Sequence, residues 1–179
     1  RLLFHFSGHG SQIRDRDGDE LKDSLDEILC PHDMDWDGTY IIDDELGKIF
    51  SPLSKGVNLE VLLDSCHSGT GTRDMMSIAA LPHELSFKQR FLEPPMDIQC
   101  RVEEDLNVKR ILKGGNPWNH VLFAGCKENQ TSADANISGS YNGAFTYYFC
   151  KHLREGQGNL NRGELLKRVR ASLKFNGFA

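Results

Sequence analysis

The sequence predicts an α/β fold with a mostly parallel central sheet flanked by helices, on three observations. Two short apolar runs, Leu2-Leu-Phe-His-Phe6 and Val61-Leu-Leu63, each stop at a loop of small polar residues, Ser7-Gly-His-Gly10 and Asp64-Ser-Cys-His-Ser-Gly69. Buried strands end this way when they deliver a loop to a sheet edge. Between them, Leu46, Ile49, Phe50 and Leu53 recur at helical spacing, which makes the order strand, crossover helix, parallel strand. Two further amphipathic helices close the chain. At 179 residues and 39% hydrophobic, it is long enough for one well-buried domain and too short for two.

In chain order, residues 2–6 are a strand and 7–27 a long polar loop, since acids and Gly are too frequent there for a core element. Ile28–Cys30 and Tyr40–Ile42 pair as a small hairpin across Pro31 and the turn Asp33-Met-Asp-Trp-Asp-Gly38. Asp43 or Asp44 caps a helix over 44–53, which Lys55-Gly56 ends before the strand Leu59–Asp64. Pro82, Pro94, Pro95 and Pro117 punctuate residues 70–117, which we expect to be a mobile insertion with helices at 84–92 and 102–113. His120–Ala124 is a strand and Gly125–Ala135 a polar loop. The closing helices are Ala144–Arg154, with Phe145, Tyr148, Phe149 and His152 on one face, and Arg162–Lys174, with Leu165, Leu166, Val169 and Leu173 on one face.

Composition narrows the function classes. The formal net charge is -5, and no Lys/Arg run is long enough to track a phosphate backbone, so no nucleic-acid partner is expected. Acids crowd one segment, from Asp15 and Asp17 to Asp26 and Glu27. No apolar run approaches the ~18 residues of a membrane span, and no secretory leader is visible, so no membrane association is expected. Five Cys at irregular spacing, without CxxC, argue against a disulfide framework or a zinc site and for a reducing, cytoplasmic setting. Cys30, Cys100, Cys126 and Cys150 read as small hydrophobes or ordinary thiols. We expect a monomer.

The chemistry concentrates at the two strand ends. Side chains at i and i+2 of a strand share a face, which groups Asp64 with Cys66 and Ser7 with His9. A thiol of ordinary pKa near 8.5 is only slightly ionised at neutral pH, and an adjacent imidazole can take its proton or stabilise the thiolate. Cys66 is therefore the candidate nucleophile and His9 its acid and base, while His67, next to Cys66, faces away by alternation. Asp64, if it lines the crevice instead of capping the strand, selects a cationic side chain, Arg bidentately or Lys as a point charge.

A metal reading is available too. Asp33-x-Asp-x-Asp-Gly38, with Asp44 at the twelfth place, imitates an EF-hand loop. Position twelve lacks Glu and no helix precedes, so a solvated turn is an equal alternative. Carboxylates at Asp26, Asp43, Asp44 and Asp74 are the other set that could converge on a hard cation.

The pair Phe6-Ser-Gly-His-Gly10 and Leu63-Asp-Ser-Cys-His-Ser-Gly69, roughly 55 to 60 residues apart, resembles the clan of caspase-like cysteine peptidases, and most closely the metacaspases. Asp17-Gly-Asp-Glu20, Leu25-Asp-Glu27, Ile41-Ile-Asp-Asp-Glu45 and Gly125-Cys-Lys-Glu-Asn-Gln-Thr-Ser-Ala-Asp-Ala135 look like family segments too, so the likeness covers nearly the whole chain. Caspases proper use a Q-A-C-x-G pattern, and D-S-C-H-S-G stands here instead.

The resemblance implies a caspase-like three-layer sandwich with His9 and Cys66 as the dyad and the backbone N–H groups of Cys66 and Gly10 as the oxyanion hole. It implies a pocket including Ser7 and Asp64 that accepts Arg or Lys before the scissile bond, and calcium activation through Asp26, Asp43, Asp44 and Asp74. It implies self-cleavage after a basic residue beyond the nucleophile, with Arg73, Lys88, Arg90 and Arg101 as candidates. Against the family pattern, a first strand and helix and the C-terminal end are expected to be missing from residues 1–179. The expected function is thus a calcium-stimulated cysteine endopeptidase acting on proteins or peptides after Arg or Lys. The rivals are a non-catalytic calcium-sensing or scaffold module and a thiol transpeptidase or carbon–nitrogen hydrolase on the same crevice.

Overall fold

The computed structural model describes residues 1–15, 25–66, 87–100, 120–126, 132–137 and 139–178. Its elements are strands β1 (Leu2–Ser7), β2 (His9–Arg14), β3 (Leu25–Cys30) and β4 (Ile41–Ile42), helix α1 (Asp43–Phe50), strands β5 (Leu59–Asp64) and β6 (Phe87–Gln89), and the short helix α2 (Met96–Gln99). Strands β7 (His120–Ala124), β8 (Ala133–Ile137) and β9 (Ser140–Gly143) and helices α3 (Ala144–Glu155) and α4 (Arg162–Phe175) complete them.

Strand β5 is the centre of a parallel sheet ordered β1-β5-β7. Its side chains alternate between two cores, as a strand covered on both faces requires. Leu59, Val61 and Leu63 pack with Phe4 and with Leu46, Phe50 and Leu53 in and after α1. Leu62 points the other way, into the cluster of Phe123, Phe145, Tyr148, Phe149, Leu165, Val169 and Leu173 that α3 and α4 contribute. Edge-on ring pairs, Phe4 with Phe50 at 5.5 Å and Phe123 with Phe149 at 5.4 Å, close the two sides. On the α4 side Glu60 accepts bonds from Arg162 Nε at 2.9 Å and Nη2 at 2.6 Å. Helix, parallel sheet, helix is the expected layering.

Local signals explain where the helices begin. Asn161 accepts the Glu164 N–H at 2.9 Å while Glu164 accepts the Asn161 N–H at 3.3 Å, a reciprocal box at the start of α4. At α1 the expected Asp cap is not used: Ile42 holds the N-cap position, its N–H donating to Glu45 at 3.3 Å, and both Asp43 and Asp44 lie in the first turn. Carboxylates there are favoured by the helix dipole.

Two expected loops contain sheet instead. Residues 9–14, within the span read as a loop, form a strand that pairs antiparallel with Leu25–Cys30, while the expected hairpin forms, β4 pairing with β3 through Ile28↔Ile42 and Leu29↔Ile41. Ile13, Ile28, Cys30, Tyr40 and Ile98 bury a second small core there. Polar residues on the outward alternation masked this pattern. The helix expected over 84–92 is strand where described: β6 pairs antiparallel with β8, which pairs with β9. β8 and β9 are built of Ala, Asp, Asn, Ser and Gly with one Ile and one Tyr, residues mostly of poor strand propensity, so tertiary pairing makes them strands. The helix expected at 102–113 lies outside the described residues, as does most of the expected insertion. No described helix is long and apolar enough to cross a membrane.

Candidate active site

The parallel register sets Ser7 directly beside Asp64, so β1 and β5 end together. Cys66 follows two residues on, fully buried. The start of α3 sits over this edge. The Asp64 carboxylate, also fully buried, accepts the Thr146 N–H at 2.8 Å with Oδ2 and the Ser132 hydroxyl with Oδ1. A helix N-terminal amide and a hydroxyl are the donors a buried anion needs. Ser7 and His9 do not share one strand as expected: β1 ends at Ser7, Gly8 bends, and His9 opens β2 in another sheet, opposite Cys30.

Residues 87–92 run through the site as an extended segment. On one side Phe87–Gln89 pairs with Ala133–Ala135 of β8, and the Arg90 N–H donates to Ser132 O at 3.1 Å. On the other side the Leu92 N–H donates to Gly10 O at 2.9 Å, and the fully buried Ser11 hydroxyl donates to Leu92 O at 2.5 Å. Between these, the Arg90 carbonyl oxygen accepts two N–H groups, from Gly10 at 2.9 Å and from Cys66 at 3.1 Å. These are the two donors that the family resemblance implies for an oxyanion hole. A chain segment paired by its backbone at both ends, with one carbonyl in such a nest, has the form of a bound peptide.

The Arg90 side chain occupies the pocket beneath. Nη1 donates to Ser7 Oγ at 2.7 Å and to the backbone oxygen of Asp64 at 2.9 Å, and Nη2 donates to Asp134 Oδ1 at 3.1 Å. The Asp64 carboxylate stands further off, with Oδ2 4.0 Å from Nη1. Asp64 therefore neutralises the site from behind, and the direct ion pair falls to Asp134, a residue for which the sequence suggested no role. Gly143 is the floor: a Cβ there would collide with Asp64 Oδ2 and lie 2.7 Å from Arg90 Cζ. Next to the guanidinium a cavity of about 380 Å³ continues past Tyr141, Thr146, Tyr147 and Cys150.

Cys66 Sγ lies against Ser132, accepting its N–H at 2.5 Å and donating as a thiol to its carbonyl at 3.1 Å. The Cys126 thiol donates to Ser65 O at 3.2 Å, and its proximity, with the Ser132 amide, holds the Cys66 thiol below its ordinary pKa, against burial and the Asp64 charge. The same proximity, with burial, pushes the Cys126 thiol up. Cys126 is thus more than the ordinary thiol expected. Cys30 is a packed hydrophobe whose thiol burial pushes up to about 11. Among the described residues none hydrogen-bonds the His9 imidazole, which is exposed while Cys66 is covered. His67 lies outside the described residues.

The acidic candidates divide. Because Ile28 pairs with Ile42 antiparallel, Asp26 before it and Asp43 and Asp44 after it come to one end of the hairpin, Asp26 buried and Asp43 exposed. Such hard oxygen donors fit calcium. Asp74 and the Asp44 side chain lie outside the described residues, and no group of three metal-ligating side chains converges among those described. The Asp33–Gly38 loop is a turn closed on itself: Asp35 Oδ1 accepts the N–H groups of Asp37 at 3.0 Å and Thr39 at 3.3 Å. The Thr39 hydroxyl above all, with these amides, holds the Asp35 carboxyl below its usual range.

Residues 1–74 match the family model of the metacaspase, peptidase C14 domain. The chain is 35% identical over 205 residues to Metacaspase-1 of Kluyveromyces lactis, covering 96% of this chain and 45% of that protein. It is 36% identical over 183 residues to Metacaspase-2 of Arabidopsis thaliana, covering 96% of this chain and 38% of that one. The chain thus spans less than half the length of these curated relatives. A crystal structure of a Geobacter sulfurreducens protein superposes with a TM-score of 0.58 at 27% identity, over 93% of this chain and 59% of the other.

Proposed function

The chain belongs to the metacaspase family of caspase-like cysteine peptidases, and from that premise we propose that it acts as a cysteine endopeptidase cleaving proteins after Arg or Lys. The observation that carries the proposal is the seating of Arg90. Its carbonyl oxygen takes both candidate oxyanion donors while its guanidinium fills the acidic pocket, as a substrate residue before the scissile bond must.

The chemistry follows from these groups. The Cys66 thiolate attacks the carbonyl carbon, a C–S bond forms, and the displaced electron pair goes to the oxygen between the Cys66 and Gly10 amides. Collapse breaks the C–N bond, and the leaving amine takes a proton from His9. Water, giving its proton to His9, then attacks the thioester and releases the acid and the thiolate. With residues 87–92 seated His9 is exposed, so the dyad contact is left to form in the productive complex, where catalytic hydrogen bonds tighten. Asp26, Asp43, Asp44 and Asp74 would hold calcium, which supplies a hard positive centre that braces the hairpin carrying His9.

On this reading Arg90–Phe91 is the bond cut in self-processing, and the seating of Arg90 supports it. Lys88, by contrast, is exposed on β6, and Arg73 and Arg101 lie outside the described residues. The test is to express the whole protein and the Cys66→Ala variant with millimolar calcium or chelator. A new N-terminus at Phe91 in the first alone, with hydrolysis of fluorogenic peptides ending in Arg or Lys and not Asp, is the expected result. A folded wild-type protein that cuts neither itself nor any peptide would return the chain to a scaffold role.

A further inference from the structure

Resting on that peptidase reading, we infer that Asp134 is a specificity-determining residue of the pocket and that it sets a preference for arginine over lysine. A guanidinium offers its terminal nitrogens in a rigid fork, and the pocket uses both tines. Nη1 meets Ser7 Oγ and the Asp64 carbonyl at 2.7 and 2.9 Å, and Nη2 meets Asp134 Oδ1 at 3.1 Å. The acceptors lie on different strands: Ser7 at the end of β1, Asp64 at the end of β5 and Asp134 on β8. The fork bridges the central sheet to β8.

Lysine cannot make this bridge. Its ammonium nitrogen is as many bonds from Cα as the Cζ of arginine, so it stops one bond short of both Nη positions. From there it reaches either the Ser7 side or Asp134, and the other is left with a water or unpaired. The pocket does not compensate on the inner side. Arg90 Nε is buried without a partner among the described residues, so recognition rests on the two terminal nitrogens. Gly143 closes the floor against Cζ itself, which keeps the planar group where the fork reaches all three acceptors.

Asp134 also differs from Asp64 in what its charge is free to do. Both Asp64 carboxylate oxygens are taken, by Ser132 and Thr146, and Asp64 neutralises any cation in the pocket at similar cost. The Asp134 side chain is 29% exposed at the pocket rim and bonds only where Nη2 stands. Asp64 therefore selects positive charge and Asp134 selects its shape, the division expected where bidentate recognition matters.

The experiment measures kcat/KM for two peptides identical except for Arg or Lys before the cut, in the wild type and in Asp134→Asn. The wild type should favour Arg by at least about tenfold. Asp134→Asn should lower turnover of the Arg peptide by about tenfold or more and of the Lys peptide by less than about threefold, bringing the ratio near one. Equal losses on both peptides would overturn the inference and leave the peptidase reading standing, whereas a wild type inert to both would remove the two together. Should Asp134→Asn fold poorly, Arg90→Lys asks the same question without touching the pocket. Self-cleavage slowed about tenfold or more is expected, and an unchanged rate would overturn the preference.

Discussion

The carbonyl oxygen of Arg90 accepts the backbone N–H of Cys66 at 3.1 Å. The amide of the candidate nucleophile is thus already bonded to a peptide carbonyl, that of a residue 24 positions downstream in the same chain. On the proposed peptidase reading, the protein's own segment fills the pocket and backbone pairing positions that a substrate would use, and access for other peptides would require that segment to leave.

Gly143 is where the pocket is most sensitive to a single methyl group. Its φ is ordinary for any residue, so Gly143→Ala tests space and not backbone freedom. The added Cβ would meet Arg90 Cζ at 2.7 Å and the Asp64 carboxylate. Turnover of Arg and Lys peptides should fall about a hundredfold or more, and the thermal midpoint should drop too, because the same Cβ displaces the buried Asp64 carboxylate. Activity close to wild type would show that the basic side chain enters elsewhere.

Asp64 is expected to matter for stability as well as selection. Asp64→Ala strips the acceptor from the buried Ser132 hydroxyl and from the Thr146 amide at the head of α3. Unfolding free energy should fall by about 2 to 4 kcal/mol, read from urea or guanidinium titration, and Arg/Lys preference should be lost in the protein that remains folded. A loss below about 1 kcal/mol would mean that these donors find water instead.

The pH profile should report the thiol pair. The Cys66 thiol is held low chiefly by the Cys126 thiol, and a lowered pKa means more thiolate at a given pH, so the rising limb of kcat/KM lies below the ordinary thiol range. Cys126→Ala removes that donor and should move the limb to higher pH, with the plateau preserved. A limb that stays in place would remove Cys126 from the site's chemistry.

Calcium dependence is expected to follow the hairpin acids. Replacing Asp43 and Asp44 with Asn should weaken calcium binding in calorimetry and reduce the stimulation of peptide hydrolysis. Unchanged binding heats would put the ion, if any, at another place. Asp26→Asn tests the opposite strand of the same hairpin end, with the same readouts.

Much of this was legible from residue order. The runs Leu59–Leu63 and His120–Ala124 and the 3.6-residue spacing in α1, α3 and α4 carry their own periodicity, because each buries a face or a whole strand against a core. Leu2–Phe6 is marked by its apolar run, although only Phe4 joins a core and Leu2 and Leu3 are exposed. Ser7 and Asp64 could be named because the strands they terminate could be named. By contrast, β2, β8 and β9 are short and polar and gain their structure from pairing, so Ser11 carried no local signal, and Ser132 and Asp134 stood out only as part of the family-like stretch Gly125–Ala135, without a role.

The sequence by itself determined the layered α/β architecture, the strand ends at Ser7 and Asp64, and the family. These depend on hydrophobic pattern and on compact motifs that neighbours along the chain spell out. Only the tertiary structure decided that Arg90 sits in the pocket, that Asp134 and not the Asp64 carboxylate bonds it directly, and that Cys126 donates to Ser65 O beside Cys66. Each of those facts joins residues dozens of positions apart. Which of several equivalent side chains meets a distant partner is settled by packing and by backbone pairing, and no local pattern encodes it.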